Sequence, residues 1–193
     1  MAKGTIDSYR KAAEQGGVEA QYNLAQMYLR GEGVPRDETE AARWYRKAAQ
    51  QGHTKAQNNL VWIYANGKVA PENEAEAVKW YRKAADQGHM HGQCLLAETY
   101  RLGKGTPQNY AKAARWFRKA AEQGDATAQY NLALMYDKGE GVSKNKTKAY
   151  LWYSLAKAQG NEGAKTNLEI LKRDMTKEQI AEAQALAMKV LGV

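Results

Sequence analysis

A single cysteine, Cys94, stands among 193 residues, so no intrachain disulfide can form and the redox compartment stays open. No apolar run approaches the roughly 20 residues of a membrane-spanning helix. The opening segment MAKGTIDSYRKAAEQG has no apolar core of a signal peptide. As read, the chain is expected to be soluble, in a bacterial cytoplasm or, if an upstream segment has been removed, in the periplasm or outside the cell. Strand signals are lacking throughout. The glycine-rich stretches GEGVPRD and GKGTPQN follow helices and end them, whereas a phosphate loop requires G-x-x-x-x-G-K-[ST] ahead of a helix. Acidic residues are in deficit, 21 against 29 Lys and Arg, which leaves a formal charge of +8 and brings acidic partners into consideration.

What is present is repetition. YRKAAEQG at residues 9–16 returns as YRKAAQQG (45–52), YRKAADQG (81–88) and FRKAAEQG (117–124), then in drifted form as YSLAKAQG (153–160). A fixed period of 36 residues marks a repeat architecture. Within residues 18–52, Ala20, Leu24, Met27 and Tyr28 follow helical spacing and stop at Gly31, which suits the left-handed position after a helix. Asp37 is a good N-cap, with Glu40 three residues on. A second helix then puts Ala41, Trp44, Tyr45, Ala48 and Ala49 on one face and closes at Gly52.

The other units agree column by column. Caps are Asp37, Asn73, Asn109 and Asn145, and aromatic pairs are Trp44–Tyr45, Trp80–Tyr81, Trp116–Phe117 and Trp152–Tyr153. The small positions are Ala48, Ala84, Ala120 and Ala156, which let helices approach while the aromatics fill the gaps. Trp80 and Trp116 are expected to be largely buried. One hairpin cannot bury its own apolar face, so the same packing surface recurs in every unit.

These residues resemble the Sel-one-like repeat (SLR) family, relatives of the tetratricopeptide repeat. The resemblance rests on Ala128, Leu132, Tyr136, Gly139, Gly141 and Val142 in the first helix and loop. In the second helix it rests on Ala113, Trp116, Phe117, Lys119, Ala120, Ala121, Gln123 and Gly124. Departures are few: Val69–Ala70 in one loop, Gly92 for an Ala, Ser143 for a Pro. The resemblance implies an all-α, right-handed superhelical solenoid of antiparallel helix hairpins, acting as an adaptor in protein complexes.

The reading is one solenoid domain over 1–193. It comprises a half repeat or cap helix at 5–17, repeats at 18–53, 54–89, 90–125 and 126–160, and a fifth first helix with a capping helix at 161–193. In the last helix Thr176 and Gln179 form a capping box. Ile180, Ala183, Ala187, Met188 and Leu191 are expected inward.

Columns that stay fixed pack, and columns that vary are free for a ligand. The variable first-helix columns hold Glu19, Tyr22, Gln26 and Leu29; Lys55, Asn58, Trp62 and Ala65; His91, Cys94, Glu98 and Arg101; Thr127, Tyr130, Leu134 and Asp137. In such superhelices first helices line the concave surface, so these residues are expected to form one protein-binding groove. Tyr22, Trp62 and Tyr130 are of the residue types that dominate interface energy. The competing reading packs some of them between adjacent first helices. His91, Cys94 and Glu98 share a helical stripe, but one helix supplies all three across about 10 Å, and the reading as a mixed polar groove outweighs a metal site or activated thiol. His53 and His89 occupy one turn column and read as repeat features.

The basic pairs Arg10–Lys11, Arg46–Lys47, Arg82–Lys83 and Arg118–Lys119, with Arg43, Lys79 and Arg115, are placed on an outward, solvated face. Nucleic-acid or anionic-surface binding through that convex face is the weaker alternative. Some bacterial relatives of this family bind penicillin or act as weak β-lactamases. Those proteins staple each hairpin with a disulfide, which Cys94 alone cannot supply. The expectation is a monomeric, non-enzymatic scaffold with a protein or peptide partner, and no cofactor, metal or membrane span.

Overall fold

The computed structural model describes residues 3–65 and 74–191. Among them every regular element is a helix. They run α1 (Lys3–Glu14), α2 (Val18–Arg30), α3 (Glu38–Gln50), α4 (Thr54–Ala65), α5 (Glu74–Asp86), α6 (Met90–Leu102), α7 (Tyr110–Glu122), α8 (Ala126–Lys138), α9 (Lys146–Ala158), α10 (Glu162–Arg173) and α11 (Lys177–Leu191). The chain divides into two compact units, Met1–Trp80 and Tyr81–Val193. In the first, α1 packs on α2, α2 on α3 and α3 on α4. In the second the same succession runs from α6 to α10, with α11 added against α9.

Helix boundaries follow the sequence signals. Asp37 Oδ1 accepts from the Thr39 and Glu40 amides, while Asn109 and Asn145 each cap through the amide three residues on. These bonds satisfy N–H groups that have no partner within the helix. Asn73 and the pair Val69–Ala70 lie outside the described residues. Gly31, Gly103 and Gly139 end α2, α6 and α8 at φ of 72–79°, the left-handed region an L side chain disfavours. Thr176 and Gln179 exchange the reciprocal bonds of a capping box at α11.

The second-helix aromatic pair splits in its burial. Its second member is buried throughout: Tyr45, Phe117 and Tyr153 expose nothing and Tyr81 only 8%. Its first member is buried as Trp44 and Trp80 but only half-buried as Trp116 and Trp152. Trp80 is buried as expected, and Trp116 is mostly covered without being sealed. Its ring lies at the rim, with Lys119 Nζ 4.3 Å from the centroid, a cation over an aromatic face. Lys47 covers Trp44 in the same way at 4.2 Å.

The arginines of the basic pairs do more than face solvent, although Arg82 and Arg118 remain exposed. Arg46, Arg82 and Arg118 reach the next first helix, donating from Nη2 to the hydroxyls of Tyr64, Tyr100 and Tyr136 at 2.9, 2.6 and 2.7 Å. These bonds, each spanning 18 residues, tie one hairpin to the next. They are not merely a solvated stripe.

In α11, Ala183 and Ala187 are buried, but Met188 is 54% exposed, against expectation. The reason is where α11 packs. It lies on α9, whose outward columns have changed: Arg43, Lys79 and Arg115 are followed by Leu151, and Lys47, Lys83 and Lys119 by Leu155. Leu151, Leu155 and Ala187 form one small apolar cluster with Trp152 against it. Contact with that patch sets the rotation of α11 and turns Met188 out. The side chain of Leu191 lies outside the described residues.

Candidate functional site

A set of glutamines holds the helices that present the variable columns. Gln21, Gln57, Gln93 and Gln129 are the buried polar residues among those described. Each donates its side-chain amide to a carbonyl eight residues earlier: Ala13, Ala49, Ala85 and Ala121, at 3.0–3.3 Å. Gln21, Gln93 and Gln129 also accept from Gln51, Gln123 and Gln159 at 2.8 Å. A buried amide left unpaired would be costly, and here one side chain satisfies the end of the preceding second helix and the end of its own. The sequence carried this signal, since the column holds glutamine in all four repeats and changes only at Lys165 in the fifth first helix, but amphipathic spacing alone does not distinguish a buried glutamine from a surface one.

In the first unit the variable face belongs to α2 and α4. Tyr22 is half-buried: its ring stacks on His53 at 4.4 Å and tilts against Tyr45 at 5.8 Å, and its hydroxyl accepts from Gln26 at 2.7 Å. His53 Nδ1 accepts from the Ala56 amide at 3.1 Å, capping α4. The ring proton therefore sits on Nε2, 3.3 Å from Glu19. Lys55 is exposed, Asn58 is half-buried with its Oδ1 sealed and without a hydrogen-bond partner, and Trp62 stands 48% exposed.

The second unit presents α6, α8 and α10. His91 is exposed, Cys94 is buried and Glu98 is taken by Arg101, which donates from Nε and Nη2 at 2.9 and 2.6 Å. That carboxylate is the largest cause holding Arg101 above its ordinary pKa. Burial pushes the Cys94 thiol up to about 12, with Asp125 and Glu98 adding to it, so the thiol stays protonated and unreactive. The three residues of that stripe go separate ways. Among the described residues no three His, Cys, Asp or Glu side chains converge to hold a metal ion.

Tyr130 packs on Tyr153 at 6.0 Å, and Asn167 donates to both hydroxyls at 3.3 and 3.5 Å. Burial also drives the Tyr153 hydroxyl well above its usual pKa. A side chain at Gly163 would meet the Tyr130 ring at 3.2 Å, so glycine lets α10 close on it. Leu134 and Asp137 are half-buried. Ile170, 54% exposed, was missed by sequence reasoning. It continues the column Gln26, Trp62, Glu98, Leu134, and extending the 36-residue register into the fifth first helix finds it.

The Sel1 repeat family model matches residues 9–17, 18–53, 54–89, 91–125 and 126–161. Among solved structures, c5321, a protective antigen present in uropathogenic Escherichia coli strains and displaying an SLR fold, is 37% identical over 97% of this chain, with a TM-score of 0.78. The chain spans only 40% of that protein. A Sel1 repeat protein from Oxalobacter formigenes is 36% identical, over 86% of this chain and 74% of its own, with a TM-score of 0.66. No curated protein matches. The all-α repeat class read from the sequence is the class of both structures.

Proposed function

The chain belongs to the Sel1 repeat family, whose members are in general protein-interaction scaffolds, and from that premise we propose a non-enzymatic scaffold that binds a peptide or protein segment through the variable columns of its first helices. The observation that carries this reading is the division of labour within each first helix. Invariant positions are committed to inter-helix bonds, as Gln57 is to Ala49. On the same helix the variable column holds out Trp62, an exposed ring of the kind that anchors interfaces. In the first unit the binding residues are Glu19, Tyr22, Gln26, Lys55, Asn58 and Trp62. In the second they are His91, Glu98, Arg101, Tyr130, Leu134 and Asp137, with Cys94 lying beneath them.

Helices tied by buried amides lose little freedom on binding, which favours affinity. The test is a peptide selected from a displayed library against the full chain and titrated by calorimetry. Trp62→Ala should weaken it at least tenfold, whereas Arg115→Ala on a second helix should leave it within about twofold. Equal affinity for wild type and Trp62→Ala would move the site elsewhere.

A further inference from the structure

The positive charge is unevenly distributed. Residues 1–80 carry 11 Lys and Arg against 10 Asp and Glu, and residues 81–193 carry 18 against 11. The Arg–Lys pairs recur evenly and do not account for the difference. One column that contributes to it holds Glu40 and Glu76 in the first unit and Lys112 and Lys148 in the second. Lysine in the first turn of a helix works against the helix dipole, so helix stability does not explain the exchange.

The surroundings of Glu76 show what the exchange changes. Its Oε1 lies 3.3 Å from Arg46 Nε and 3.4 Å from the Trp80 indole nitrogen, while Arg46 Nη2 donates to the Tyr64 hydroxyl. A guanidinium and an indole N–H thus meet at one carboxylate, and the same guanidinium is tied to a tyrosine hydroxyl. In the second unit Arg82 donates to Tyr100, and Lys112 Nζ stands 5.3 Å from that ring. Arg118 and Lys148 repeat this at Tyr136, with the ammonium at 5.4 Å. Trp116 and Trp152 occupy the column of Trp80, both half-buried. Among the described residues, none of these four cations lies within ion-pair distance of a carboxylate. Each cluster keeps the guanidinium–tyrosine pair of the first unit and has a lysine in the column of Glu76.

We propose that Arg82 with Lys112, and Arg118 with Lys148, form two sockets one repeat apart that each take a carboxylate from an acidic segment of a partner polypeptide. The partner supplies in trans what Glu76 supplies within the chain. Charge complementarity names the occupant, and the carboxylate of Glu76 shows the ligand geometry. Single-stranded nucleic acid is the less fitting polyanion, since it needs open aromatic faces for stacking and Lys119 covers Trp116. These sockets lie outside the variable columns, and the proposal does not depend on the peptide-binding reading of those columns.

The test is fluorescence anisotropy with labelled deca-glutamate, a deca-glutamine control and a ten-nucleotide oligothymidylate, on the full chain. Lys112→Glu with Lys148→Glu installs the first-unit residue in both sockets. It should weaken deca-glutamate at least tenfold and raise the melting temperature, because the new carboxylates meet Arg82 and Arg118. Lys157→Glu with Lys189→Glu makes the same change in net charge and should weaken binding less than threefold. Equal loss in the two double variants would mean diffuse attraction and overturn the sockets. So would wild-type binding of deca-glutamate no tighter than of deca-glutamine, or tighter binding of oligothymidylate with the same sensitivity. A lowered melting temperature in the first variant would show that glutamate cannot occupy the sites, and would also count against them.

Discussion

Gln159 donates its side-chain amide to Gln129 Oε1 at 2.8 Å, while Gln129 donates to the Ala121 carbonyl at 3.2 Å. Two glutamines, thirty residues apart, thereby join α7, α8 and α9. Gln129→Ala should cost about 2–3 kcal/mol, since it removes both bonds, each contributing roughly 1–1.5 kcal/mol, while the Ala121 carbonyl keeps the Gly124 amide. Gln159→Ala, at an exposed position, should cost about 1 kcal/mol. Urea denaturation of both and of the double variant gives the coupling between them. A loss below about 1 kcal/mol at Gln129 would remove it from the framework.

The aromatic column should divide by burial. Trp44→Ala is expected to cost about 3–5 kcal/mol, as for a buried aromatic, and Trp116→Ala about 1–3 kcal/mol, since its ring is at the rim. Chemical denaturation measures both. The reverse order would contradict the described rotation of α3 and α7.

Cys94 and Tyr45 should respond to alkali. Burial pushes each up to about 12 from ordinary values near 9 and 10. A raised folded-state value means the native state holds the proton more tightly than the unfolded chain. The associated stability is therefore fully present below about pH 9 and is lost as pH rises toward 12. At pH 8 the native thiol should react with a disulfide reagent at least about a hundredfold more slowly than in urea. Equal rates would place Cys94 at the surface.

Leu151→Lys and Leu155→Lys restore the residue type of the earlier repeats and should release α11 from α9. Loss of helical circular dichroism equivalent to one helix, with a cooperative melt retained, is the expected result. An unchanged spectrum would mean that α11 is held by other contacts.

The fold was legible because period, caps and glycine stops each act locally. Asp37, Asn109 and Gly31 do in the structure what their residue types dictate. Long-range pairing was harder to see. Arg82 reads as a surface cation until the Tyr100 hydroxyl 18 residues away is placed against it. The drift in YSLAKAQG looked like decay of the repeat, yet Leu151 and Leu155 are the patch on which α11 rests. Of the aromatics proposed for binding, Tyr22 and Tyr130 turn out half-packed on Tyr45 and Tyr153 because both helix faces of a hairpin compete for the same ring. Trp62 stands 48% exposed.

The central claim is that invariant columns hold the helices while variable columns bind. It is tested most directly by measuring thermal stability and affinity for a selected peptide in Gln129→Ala and Ile170→Ala side by side. Gln129→Ala should lower the melting temperature by roughly 5–12 °C and leave affinity unchanged below the transition. Ile170→Ala should leave the melt within about 2 °C and weaken the peptide severalfold. Affinity lost at Gln129 in a folded protein, or stability lost and affinity kept at Ile170, would contradict the account.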